Sequence, residues 1–199
     1  MSSGRWPTDP APIVARDWRD TLRDATDIAL LGICVTLGSV MILSAGAAVA
    51  AGSRAVDEWL TTGRWPTARI TVRRYASLFL PGAIASLGVL AGGAVLLLNL
   101  SAVARGAVPG GAVLAIAGAA VAVLALGLAA LATVFVGRGQ GFRGALASAF
   151  RMAMARPGRP AALGLAWGMA AFLALVLPAI TPLAAGVALF AAHVIARRP

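Results

Sequence analysis

Residues 78–136 read LFLPGAIASLGVLAGGAVLLLNLSAVA, then RGAVPG, then GAVLAIAGAAVAVLALGLAALATVFV, and Arg105 is the one charged side chain in the whole stretch. Roughly 20 apolar residues in helical conformation cross the hydrocarbon core of a bilayer. The stretch therefore reads as two spans, 78–104 and 111–136, joined by a tight connection, with Pro81 in the first turn of its helix, where a proline costs little. Working outward, residues 28–51 (IALLGICVTLGSVMILSAGAAVAA) form another uncharged run. The run 161–196 is too long for one span and carries Pro178 and Pro182 at its centre, so it reads as two short spans, 161–177 and 182–196. The fold expected is an all-α, polytopic transmembrane helix bundle of about five spans. Apolar residues make up 60% of the 199 and charged residues 12%, too little polar surface to cover a water-soluble globule.

All 17 cationic side chains are arginines and the formal net charge is +10. In a soluble chain that charge would suggest nucleic acid. Here the arginines lie between long apolar runs, so anionic lipid head groups are the expected counter-charge and no nucleic-acid partner is expected. Arg69, Arg73 and Arg74 fall in the loop 52–77, with Trp59 and Trp65 suited to the headgroup layer. Arg143, Arg151 and Arg156 fall in the loop 138–160. There Phe142, Leu146, Phe150 and Met154 recur every fourth residue, the pattern of a short amphipathic helix lying in the interface. Residues 1–27 read as a tail followed by a charge-laced surface helix over 13–27. With five spans, the side holding both loops and the C-terminal tail 197–199 carries twelve arginines and the other side five. The positive-inside rule then places the C-terminus and the arginine-rich loops in the cytoplasm and the N-terminus outside the cell membrane, whereas a re-entrant hairpin in the first run would put both termini inside. Residues 28–104 and 111–177 share the order span, arginine-rich loop, span, which would make them a parallel repeat, but residue identity between them is poor and a coincidence of hydropathy accounts for the shared plan.

The spans hold no Asp, Glu, Lys or Arg, which argues against a proton-coupled transporter. Asn99 is the strongest polar residue within them, a candidate for an interhelical hydrogen bond or a ligand contact. Gly88 with Gly92, and Gly164 with Gly168, are small-xxx-small pairs suited to close helix packing, within the chain or in a homo-oligomer. Asp57 and Glu58 are adjacent on one helix and diverge, and Arg54 stands four residues before Glu58 as its expected partner. Cys34 lies in an apolar run and reads as a small hydrophobe. His193 is the single histidine, so a histidine-based triad would have to use a residue near the end of the chain. Neither a phosphate-binding glycine loop nor a zinc-binding HExxH stretch occurs. No cofactor, metal or catalytic site is expected.

The run ending Ser44-Ala45-Gly46-Ala47-Ala48-Val49-Ala50-Ala51, followed by Trp59, Arg64, Arg73-Arg74-Tyr75, Phe79, the Arg156-Pro157 loop and Pro178, resembles the YesL-type family of small bacterial membrane proteins. The family shows a Pro and a Thr in its first span, where this chain has no Pro and carries Ser44 near the Thr position. The resemblance implies an accessory protein beside a carbohydrate ABC transporter permease. Two other readings compete with it: a small transporter or channel built from the half-repeats, and a membrane enzyme that grips lipid-linked phosphates with Arg73, Arg74 and Arg151.

Overall fold

The computed structural model describes residues 18–39, 42–106 and 111–197. The tail 1–12, the first part of the segment 13–27 and residues 107–110 of the tight connection lie outside them. Among the described residues the chain forms α1 (Trp18–Gly38), α2 (Ala45–Thr62), α3 (Ala68–Ala104), α4 (Gly111–Gly137), α5 (Phe142–Ala155), α6 (Gly158–Val176) and α7 (Thr181–Arg197). Single 3-10 turns over Ile42–Ser44 and Pro178–Ile180 precede α2 and α7. The all-α bundle expected from hydropathy is what forms, and α3, α4, α6 and α7 are each long and apolar enough to cross a membrane. The turn at Pro178 separates α6 from α7.

The run 28–51 behaves differently from the single span expected. Its first part continues the charged helix that begins at Trp18, so Asp27 is mid-helix and the surface helix has no end of its own. The helix then stops at Gly38 and the chain turns back. Side chains supply the reason: Thr36 Oγ donates to Gly32 O at 2.8 Å and Ser39 Oγ to Val35 O at 2.7 Å, while Ser44 Oγ and Tyr75 OH both donate to Gly38 O. The Thr36 contact is a back-bond within the helix, whereas Ser39, Ser44 and Tyr75 satisfy carbonyls of its last turn and let it end inside an apolar run without orphaned acceptors. A β-carbon on Gly38 would touch Ala48, and one on Gly52 would press against Val35, so α2 returns antiparallel to α1.

This hairpin changes the layout. α1 also runs antiparallel to α7, with Gly32 beside Pro182 and Gly186 beside Ile28. The start of α1 and the end of α7 therefore lie at one end of the bundle, with the end of α2, the start of α3, the end of α4 and all of α5. The five-span layout with its termini on opposite sides rested on an unbroken first helix, and the antiparallel pairing of α1 with α2 removes that basis. The parallel repeat goes with it, because the first half opens with a hairpin and the second with the single straight helix α4. Every described arginine except Arg105 is at the common end, a steeper asymmetry than the unbroken reading gave.

α3 begins at Ala68, so Pro81 is interior to it rather than in its first turn. At 37 residues and 1.5 Å per residue, α3 is roughly 55 Å long against about 30 Å of hydrocarbon. Its excess lies beside the α1–α2 hairpin: Gly46 N–H donates to Ser86 Oγ at 2.8 Å, and Glu58 pairs with Arg74. The core is in this same half, where Leu131, Leu163, His193, Val56, Val134 and Ser53 are fully buried. The outer halves of α3 and α4 are apolar and exposed, with Leu97 and Leu98 at 68% and 67% and Ile116 at 72%.

Glycines bring the helices together. A β-carbon at Gly164 would collide with Val123 O of α4, and one at Gly127 with Pro160 O of α6. Gly88 and Gly92 have open space where a β-carbon would stand. Gly164→Ala is therefore expected to lower stability by about 1–3 kcal/mol through overpacking, whereas Gly88→Ala leaves it unchanged or raises it by up to about 1 kcal/mol through helix propensity. Thermal melting of the purified protein in mild detergent checks both; equal losses would show that the α4–α6 seam is not glycine-dependent.

Candidate functional site: a buried serine, histidine and aspartate

Ser53 and Asp57 are four residues apart on α2, and His193 and Arg197 are four apart on α7, so each pair shares one helix face. The two helices run parallel and present these faces to each other. Ser53 Oγ lies 2.8 Å from His193 Nε2, and Asp57 Oδ1 lies 2.9 Å from Arg197 Nη2. Between the rungs, His193 Nδ1 is 3.5 Å from Asp57 Oδ1. α4 closes the third side. Ser53 Oγ is 2.8 Å from Thr133 O, and Arg54 Nε donates to Val136 O at 3.3 Å, while Gly137 has room for no side chain because Ser53 and His193 fill the space.

Proton counting fixes what this cluster can do. Ser53 has one hydroxyl proton. If it goes to Thr133 O, His193 must donate from Nε2 to Ser53, and its bare Nδ1 faces the Asp57 carboxylate. In that arrangement Nδ1 makes no hydrogen bond to Asp57. If instead Nδ1 carries the proton toward Asp57, Ser53 must donate to Nε2 and release Thr133 O. The second state is the one a serine nucleophile requires. The residues are those of a catalytic triad, but Ser53 and His193 are both 0% exposed, and the wall of Thr133 and Gly137 occupies the side from which a carbonyl would approach. A nucleophile must be reachable at about 3 Å by the atom it attacks. The cluster is a clasp holding α2, α4 and α7, with Asp57 at its rim.

The residues singled out in the sequence are placed as follows. Asn99 is exposed near the outer end of α3, with no hydrogen-bond partner among the described residues, so it makes no interhelical bond within the chain. Arg69, Arg73, Arg143, Arg151 and Arg156 are exposed at the common end, and Arg151 Nη2 is 3.3 Å from Ser148 Oγ. Arg74 is partly buried and engaged by Glu58. The expected Arg54–Glu58 pair does not form, since each side chain reaches a different neighbouring helix. Gly164 is packed against α4, and Gly168 has Leu126 at van der Waals distance. Cys34 is exposed on α1. On α5 the small residues Ala145 and Ala149 face the core, and Leu146, Phe150 and Met154 point outward beside Arg143 and Arg151. The Ser53–Asp57 and His193–Arg197 spacings were the signal for the clasp, invisible until α2 and α7 were known to be neighbours.

The fold defines a class: an all-α membrane protein with four apolar helices of spanning length and a basic, well-packed end. Comparison of the chain with protein-family models, with curated proteins and with solved structures finds no match. The resemblance to YesL-type proteins therefore stands on the sequence pattern alone.

Ser53→Ala leaves His193 Nε2 buried without a partner and is expected to cost about 1–3 kcal/mol. Glu58→Gln weakens a partly exposed ion pair and costs no more than about 1 kcal/mol. Chemical denaturation in detergent ranks the two. A fluorophosphonate probe is expected to leave Ser53 unmodified in the folded protein; stoichiometric labelling there would show an accessible nucleophile and reopen the catalytic reading.

Proposed function

We propose that the protein is a multi-pass cell-membrane protein without catalytic chemistry of its own, which works by docking onto another membrane protein through the outer halves of α3 and α4. One observation carries this. Gly88, Gly92, Val95 and Asn99 fall on a single face of α3 at the 4-3-4 spacing of a helix-packing seam, and none of the described residues covers it. Gly164, by contrast, is used against a neighbouring backbone. Glycines in this spacing let a second helix approach closely, and an asparagine amide gains about 0.6–2 kcal/mol by hydrogen bonding across such an interface. A permease of a carbohydrate ABC transporter is the partner that the family resemblance suggests, and a second copy of this chain is the competing occupant.

The arginine-rich end faces the cytoplasm in this proposal, with both the start of α1 and the end of α7 on that side. Support comes from the charge asymmetry and from α5, whose exposed Leu146, Phe150 and Met154 beside Arg143 and Arg151 suit the boundary between acyl chains and anionic head groups. The alternative of a half-repeat transporter loses its geometric support with the α1–α2 hairpin. The lipid-phosphate enzyme reading loses Arg74, which Glu58 already engages.

Two experiments test the proposal. On a Cys34→Ser background, an impermeant thiol reagent applied to intact cells is expected to label Arg105→Cys and to leave Arg19→Cys and Ser148→Cys untouched; labelling at Arg19→Cys would restore opposite sides for the two ends. A photoreactive benzophenone residue at Leu98 is expected to cross-link to a second polypeptide in cells. Cross-links to lipid alone would sink the docking reading.

A further inference from the structure

α6 and α7 face each other across an opening where a tight seam would be expected. α6 contributes the stripe Trp167, Ala170, Ala171 and Ala174, and α7 contributes a matching stripe from Thr181 to Ala188. Both follow the i, i+3, i+4, i+7 spacing of a helix face, and alanine at such positions ordinarily brings helices into contact. Here the Trp167 indole reaches across and donates from Nε1 to Ala188 O at 3.1 Å. Beyond it the helices flank an open-sided crevice of about 200 Å³, floored by Val35 of α1 and Val49 of α2 where the hairpin stops short. The size matters, because protein interiors hold few voids larger than a water molecule, and a dry apolar cavity of about 150 Å³ already binds a benzene-sized guest.

We propose that this crevice holds one acyl chain of a membrane phospholipid. Its wall is alanine, valine, leucine and the indole, whose single donor is spent on Ala188; Thr181 is the one polar residue among those lining it. Water placed there would find too few partners. The opening lies on the flank of two helices of spanning length, whose other faces also carry exposed apolar side chains, Met169, Val176 and Val187 among them. In a bilayer that flank is bathed in hydrocarbon chains, so the crevice is continuous with the solvent that would fill it. Thr181 and the 3-10 turn Pro178–Ile180 lie at the end of the bundle away from the arginine cluster. The chain therefore enters from the leaflet opposite the arginines, with no described arginine beside its head group. Recognition is of the tail and is indifferent to head-group charge. This rests on the reading that α6 and α7 are in the membrane.

The test places the full-length protein in vesicles of phosphatidylethanolamine and phosphatidylglycerol doped with a phosphatidylcholine bearing a diazirine midway along one chain. After illumination, label on residues 167–188 is compared by mass spectrometry with label on residues 87–104 of α3, an open face in the same bilayer. The expected result is several-fold enrichment in 167–188, reduced to the level of α3 by Ala171→Phe or Ala185→Phe, which fill the crevice. If either phenylalanine variant misfolds, Ala171→Val is expected to give a partial reduction. A phosphatidylglycerol version of the probe is expected to give the same enrichment. Equal labelling of the two segments, or enrichment that the filled variants leave unchanged, overturns the site while the membrane reading stands. Absence of label from both segments overturns the membrane reading and the site with it.

Discussion

The polar stripe of α2 is the constraint on which the bundle depends. Ser53, Arg54, Asp57 and Glu58 occupy little more than a turn and a half of one helix, yet they reach α4, α7 and α3. A buried hydroxyl and imidazole are costly unless each finds a partner, so α2 can occupy one rotation and one depth against its neighbours. Apolar contacts between alanine-rich helices carry little of that information, because one Ala or Val face fits another in several registers. The hydrogen-bonded clasp selects among them. The glycine seams between α4 and α6, and between α1 and α7, then close around a register already fixed.

Much of this was legible in the sequence, and what was not has a physical cause. α3 and α4 declare themselves through long uncharged runs, and the separation of α6 from α7 follows from Pro178 and Pro182. The run 28–51 misled because hydropathy sums over residues and is blind to where backbone carbonyls find donors. Ser39 and Ser44 are unremarkable in hydropathy, yet as hydroxyls positioned to cap a helix end they mark the turn. The sidedness expected from the sequence hangs on the same point, since the side assigned to the first twenty-odd residues depends on whether the chain crosses once or folds back.

The site was harder to see for a different reason. Asn99 stood out because an amide is conspicuous in an apolar run, and it proved to face outward. His193 looked isolated because its partners are far away in sequence on α2, and only the parallel arrangement of α2 and α7 brings them together. A single sequence displays the four-residue spacing on each helix but does not say which helices meet. The exposed arginines were identifiable from composition. That Arg74 is engaged by Glu58 while Arg69 and Arg73 are not depends on the antiparallel pairing of α2 with α3.

The reversal of direction between α1 and α2 also bears on how such a chain enters a membrane during synthesis. In the proposed orientation, the charged beginning of α1, with Arg19, Arg23, Asp24 and Asp27, never has to be carried across the hydrocarbon. α3 with α4, and α6 with α7, are each a pair of apolar helices joined by a short, nearly uncharged connection. Each pair presents the insertion machinery with a helical hairpin whose only translocated part is that connection. In that orientation the protein is assembled two helices at a time, and the start of α1 and the end of α7 face the same compartment.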